Sequence, residues 1–166
     1  MFAIWYLFDE DDESYLSKII NKLAKKYDAP SFTPHLTAYG LVNIDLKTLD
    51  QKILESIPDI QSFIVGRSSI SFSNNFWKSF FVEILLNKNF IKINDNLTKK
   101  LSKFSKYSFS PHISLLYKHL EQSQKQFLTK SIDIKKNFRI TGMGIQEFSQ
   151  NIDKWKLVKS YHFNEI

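Results

Sequence analysis

Phe32-Thr33-Pro34-His35-Leu36-Thr37 and Phe109-Ser110-Pro111-His112-Ile113-Ser114 are one six-residue phrase written twice, 77 positions apart. The repeat gathers two of the four histidines, two of the four prolines and two hydroxyls into matching settings. On a β-strand, residues two apart project from one face, so His35 pairs with Thr37 and His112 with Ser114. The alternate positions Leu36, Ala38, Ile113 and Leu115 are apolar and face a core. Pro34 and Pro111 remove a ladder donor just ahead of each histidine, which suits the start or edge of a strand and turns the imidazole toward a cleft.

Outward from the phrases, the hydrophobic spacing repeats the same logic in each half. A strand over 2–8 leads to a helix over 13–27, whose stripe runs through Tyr15, Leu16, Ile19, Ile20, Leu23, Ala24 and Tyr27. Acids crowd its start and Lys25-Lys26 its end, in keeping with the helix dipole, and Asp28-Ala29-Pro30 stops it. The first phrase then opens a strand, and a helix over 45–57 precedes strands over 60–72 and 76–86, with Ser73-Asn74-Asn75 as their turn. The second half offers a helix over 89–105, the second phrase opening a strand, a helix over 120–131, and strands over 137–148 and 153–163. The expected order is βαβαββ followed by αβαββ, an α+β fold. No linker or composition break divides it, so residues 1–166 are read as a single two-lobed domain: two pseudo-symmetric lobes of antiparallel sheet with outer helices, packed so that the phrases face each other.

Composition narrows the chemistry. The 166 residues suffice for one proper core, and a hydrophobic fraction of 43% says that it folds. The absence of cysteine excludes disulfides, thiolate catalysis and cysteine-bound zinc. The apolar opening Met1–Phe8 has no basic segment before it and runs into Asp9-Glu10-Asp11-Asp12-Glu13, so it reads as a buried strand rather than a signal peptide, and no run approaches membrane-spanning length. A cytoplasmic, membrane-free monomer is the expectation. The net charge of +6 favours anionic partners, but only Arg67 and Arg139 are arginines, and the lysine clusters read as solvated faces rather than a nucleic-acid track.

Two imidazoles flanking a phosphate supply what metal-free phosphodiester cleavage needs: a base for the attacking water and an acid for the departing oxygen, each worth roughly 10²–10⁴ in rate. Histidine does either job near neutral pH. The Thr37 and Ser114 hydroxyls can donate to the non-bridging oxygens, where charge accumulates in the transition state. Other chemistries lack their motifs. There is no His-Glu-x-x-His, no Gly-x-Ser-x-Gly elbow, and Gly142-Met143-Gly144 lacks the third glycine and following helix of a dinucleotide site, so it reads as a strand irregularity. No metal and no cofactor are called for. Trp5, Phe76 and Trp77 are the aromatic candidates for stacking on a base or ribose, with core packing as their alternative role. His119 and His162 carry no motif and are expected at the surface.

Ser-Phe-Thr-Pro-His35-Leu-Thr-Ala-Tyr and Phe-Ser-Pro-His112-Ile-Ser-Leu-Leu-Tyr117 resemble the paired His-x-Thr/Ser motifs of the 2H phosphoesterases, and within them the cyclic phosphodiesterase branch. The likeness spans nearly the whole chain, including Trp5 in the first strand, the aromatic segment 75–81 and Trp155 near the end. It implies a bilobal α+β fold and metal-independent opening of small cyclic phosphates: nucleoside 2′,3′-cyclic phosphates to 2′-phosphates, or ADP-ribose 1″,2″-cyclic phosphate. Carried over by motif, His112 is the general base and His35 the general acid, exchangeable by pseudo-symmetry. Thr37 and Ser114 hold the phosphate and Tyr117 lines the site. A regular strand would point Tyr117 away from His112, so that role requires the strand to end or bulge after Ser114. Tyr39 and the bulky, basic Phe76-Trp77-Lys78 segment depart from the family pattern and bear on substrate size. Two other readings compete: a 2H enzyme that processes RNA ends or 2′-5′ linkages, which should carry an arginine-rich groove, and a non-catalytic RNA- or nucleotide-binding module, which would not need both motifs intact.

Overall fold

The structure, a computed structural model, describes residues 1–165. Its elements follow the expected order: β1 (Phe2–Phe8), α1 (Glu10–Tyr27), β2 (Leu36–Val42), α2 (Leu46–Leu54), β3 (Phe63–Phe72), β4 (Phe80–Ile84), α3 (Lys88–Leu101), β5 (His112–Leu116), α4 (Gln122–Ser131), β6 (Asn137–Glu147) and β7 (Lys156–His162). Helix α1 starts earlier than its apolar stripe. Asp9 caps it by accepting from the Asp12 amide at 2.9 Å, and Glu10 to Glu13 then sit where the helix N-terminus favours negative charge. Asp28 ends it in the left-handed region at φ 50°, sending its amide to Ala24. Residues 76–78 depart from the expected strand. Asn75 accepts from the Trp77 amide and winds Phe76–Lys78 into a 3₁₀ turn, so β4 begins only at Phe80.

Every strand pairing is antiparallel, in the order β1-β2-β5-β4-β3-β6-β7, and β6 also pairs along β1, so six strands close on themselves. The ring reads as two lobes, β2-β1-β6-β7 and β5-β4-β3. They join where Leu36 meets Ile113 and where Phe63–Gly66 runs beside Asn137–Ile140. The helices bind the lobes together. Helix α1, which connects β1 to β2, packs over β5 as well as β1, while α3, which leads into β5, packs over β2 with α2 beside it. One apolar core therefore runs through both lobes, from Ile4, Tyr6 and Leu36 to Ile113, Phe138 and Phe163. Gly142-Met143-Gly144 sits in β6, where Leu7 pairs with Gly142 but Phe8 with Ile140, leaving Thr141 as an extra residue. A Cβ on Gly142 would lie 2.3 Å from the Tyr161 carbonyl oxygen, so only glycine admits β7 this closely.

Candidate active site

The two phrases converge through one backbone contact. Leu36 and Ile113 hold equivalent positions in the repeat, and they pair directly in antiparallel register, which places a local two-fold axis between them. His35 then lies level with Ser114 and Thr37 level with His112, all on the face opposite the buried Leu36 and Ile113. Each histidine thus stands beside its own motif's hydroxyl and across from the other's.

The local bonding repeats as well. His35 Nδ1 lies 2.7 Å from the Thr33 carbonyl oxygen, and His112 Nδ1 lies 2.7 Å from the Ser110 carbonyl oxygen. A carbonyl only accepts, so both Nδ1 atoms carry hydrogen and both Nε2 lone pairs are left for chemistry. After each motif comes one extra strand residue. Ile4 pairs with Tyr39 and Trp5 with Thr37, bulging Ala38; Phe80 pairs with Leu116 and Phe81 with Ser114, bulging Leu115. The second bulge, with β5 ending at Leu116, meets the condition set above for Tyr117, which shares a cavity with His112. In the first motif the equivalent position is Gly40.

That cavity, of about 240 Å³, is lined by His35, Thr37, His112 and Tyr117 together with Trp5 and Trp77. Its far end is formed by Ala3, Gly40, Leu41, Gln146 and Phe148, and Trp155 closes one wall. Ser114 is recessed, 3% exposed, beside the Tyr117 phenol. Phe76 does not line the cavity. It backs the wall from behind, edge-on to Trp77 at 5.0 Å and against Tyr117 at 6.1 Å. Trp5 spends one face on His35, ring centroids 3.7 Å apart and nearly parallel, so that face is closed to a ligand. His119 and His162 are exposed and outside the cavity.

Sequence reasoning missed Gln146 and Phe148 altogether and used Trp155 only as a mark of likeness. These residues enter because β6 and the turn after it fold back over the cleft, where Trp155 stacks with Trp77 at 5.9 Å and is held by its indole N–H donating to the Ser149 carbonyl. Gln146, which follows the run Gly142-Met143-Gly144-Ile145 near the end of β6, was the available signal.

Electrostatics distinguish the two imidazoles. Burial, with Trp5, Phe32 and Trp155 packed around the ring, pulls His35 down to about 4, opposed by its Thr33 bond and reinforced by the nearby His112. Burial lowers His112 less strongly, with the Ser110 bond opposing, Lys78 lowering further and Glu83 raising. The Lys78 ammonium reaches the Ser110 hydroxyl at 3.2 Å and lies 4.6 Å from the Phe81 ring centroid. Burial pushes the Tyr117 phenol up to about 12, so it keeps its proton and can donate at neutral pH.

Comparison with known proteins places the chain in a family and its fold among solved structures. Residues 1–162 match the family described as "Cyclic phosphodiesterase-like protein". The cyclic phosphodiesterase of Arabidopsis thaliana is 24% identical over 129 residues, covering 76% of this chain and 70% of the plant protein. Among solved structures, the TT0787 protein of Thermus thermophilus superposes with a TM-score of 0.67 at 11% identity, covering 99% of this chain and 98% of that one. E. coli LigT complexed with 3′-AMP gives 0.62 at 12% identity, covering 98% and 97%. At such identities the structural likenesses speak for the fold alone.

Proposed function

The chain belongs to the cyclic phosphodiesterase-like family, in the 2H phosphoesterase superfamily, and is a phosphodiesterase; from that premise we propose that its substrates are small nucleotide-derived cyclic phosphates. Nucleoside 2′,3′-cyclic phosphates opened to 2′-phosphates, or ADP-ribose 1″,2″-cyclic phosphate, fit a cleft of this size better than a polymer does. The observation that carries the reading is the matched pair of imidazoles, each with Nδ1 tied to a carbonyl and Nε2 free toward one cavity.

In this reading a water oxygen attacks phosphorus while one Nε2 takes its proton. The bond from phosphorus to O3′ breaks, and the other imidazole delivers a proton to that oxygen, leaving a 2′-phosphate monoester. Thr37 donates to a non-bridging oxygen from the cleft wall, Ser114 from its recess, and the neutral Tyr117 phenol adds a third donor. Burial keeps both imidazoles neutral in the empty cleft at pH 7, so the acid gains its proton as the anionic phosphate binds and favours the imidazolium. We assign His112 as base and His35 as acid on family likeness. One observation favours the reverse: His112, less buried and beside Glu83, holds a proton to higher pH than His35.

The test is hydrolysis of a cyclic phosphate panel in excess EDTA by wild type, His35→Ala and His112→Ala. Turnover should survive EDTA, and each variant should fall by about a hundredfold or more. Well-folded wild type that opens no cyclic phosphate overturns the proposal and moves the search to RNA ends and 2′-5′ linkages. A p-nitrophenyl phosphodiester, whose leaving group needs no proton, then separates the roles, because it restores turnover to the variant lacking the acid and leaves the variant lacking the base inactive.

A further inference from the structure

The chemistry of the cleft is two-fold symmetric, but its walls are not. At the position where the second motif carries Tyr117, the first carries Gly40, and Ala3 lies nearby on β1. Tyr107 packs so closely against Gly40 that a Cβ there would come within 2.6 Å of its ring, so the missing side chain is built into the packing. The Tyr107 ring fills the space a Gly40 side chain would take, so what distinguishes this end of the cavity is its lining. Tyr117 stands at the phosphate end, whereas small residues, Ala3 and Gly40, line the other, which gives the body of an asymmetric substrate one direction to extend.

At the Gly40–Ala3 end stands one buried polar side chain. Gln146, paired with Ala3 across β6 and β1, is 1% exposed and lines the cavity. Its amide nitrogen donates to the Glu147 carbonyl. Its side-chain oxygen has no partner among the described residues, yet the polar atoms sealed away without partners are the Tyr6 and Ser105 hydroxyls only. Because that oxygen is not among the sealed atoms, it keeps a narrow edge of accessible surface, in a residue that lines the cavity beside Phe148, Trp77 and Trp155.

Resting on the cyclic phosphodiesterase reading, we propose that Gln146 sets base specificity: its side-chain oxygen accepts from the exocyclic amino group of cytosine or adenine. Uracil and guanine place a carbonyl oxygen at the corresponding position. Two acceptors would then face each other, and both would be left unpaired in a desolvated site.

Cytidine and uridine 2′,3′-cyclic phosphates form a nearly isosteric pair for the test, with glycerol 1,2-cyclic phosphate as a base-free control. Wild type should favour cytidine over uridine in kcat/KM by about tenfold, the scale of one buried hydrogen bond lost against an unpaired acceptor. Gln146→Leu should bring that ratio close to one. Equal use of the two by wild type, or a preference that persists in Gln146→Leu, overturns the assignment. If no cyclic phosphate is hydrolysed, the control included, it is the reaction that fails. Calorimetric binding of cytidine and uridine 2′-monophosphate to wild type then decides the base preference alone: tighter cytidine binding sustains it and equal affinities overturn it.

Discussion

Burial of His35 under the Trp5 ring ties the fold to pH as well as positioning the imidazole we propose as a catalytic group. Its folded pKa, about 4, lies below the ordinary 6.5, so between those values the unfolded chain binds the extra proton. Stability therefore rises with pH through this window: His35's contribution is fully present above 6.5 and is lost as pH falls toward 4. The loss at pH 4 should be about 3 kcal/mol, from the size of the shift. Urea denaturation of wild type and His35→Asn at pH 7 and pH 4 isolates it, since the carboxylates titrate in both. An equal pH dependence in the two proteins would show that His35 is not held neutral. The same residue shows how far sequence reaches. The repeated phrase named His35 and paired it with Thr37, but that Trp5 spends a face on it depends on β1 lying beside β2.

Among the elements, the short turn before β4 has the largest bearing on the cleft, and its sequence reads as strand. Phe76-Trp77-Lys78 carries aromatic residues with strand preference, and the Asn75 cap overrides it locally. The turn is also held from outside. Lys125 of α4 is 4% exposed and sends its ammonium to the Ser73 carbonyl at 3.0 Å and the Asn74 side chain at 2.9 Å. Its methionine variant keeps the volume but leaves both acceptors unsatisfied, at a cost of about 1–3 kcal/mol each where no water reaches them. We expect Lys125→Met to loosen the wall that Trp77 provides, raising KM several-fold while changing kcat little. Steady-state kinetics on the preferred cyclic phosphate checks it; a fall in kcat at unchanged KM would refute this positioning role. The bulges at Ala38 and Leu115 belong to the same scale. The need for one after Ser114 was legible from the odd step between His112 and Tyr117, whereas the matching bulge after Thr37 was not, because Gly40 has no side chain to reveal where it points.

At the scale of the whole molecule, a closed ring of six strands and a core shared by both lobes leave neither half its own interior. With α1 packed over β5 and α3 over β2, each lobe borrows a helix from the other half of the chain. We propose that residues 1–166 unfold as one unit: far-UV circular dichroism and tryptophan fluorescence should give coincident denaturation curves, the latter reporting on the cleft through Trp5, Trp77 and Trp155. Two separated transitions would show independent lobes. The order of elements, the two His-x-Thr/Ser motifs and the apolar stripes of the helices were determined by sequence alone, because periodicity and capping act over a few residues and are written locally. The facing of His35 by Ser114, the recess of Ser114, the exclusion of Phe76 from the cavity and the arrival of Gln146, Phe148 and Trp155 were decided only by tertiary structure. They depend on which strand edges meet and on where β6 and the following turn fold back, and those contacts join residues far apart in the chain that carry no shared local pattern.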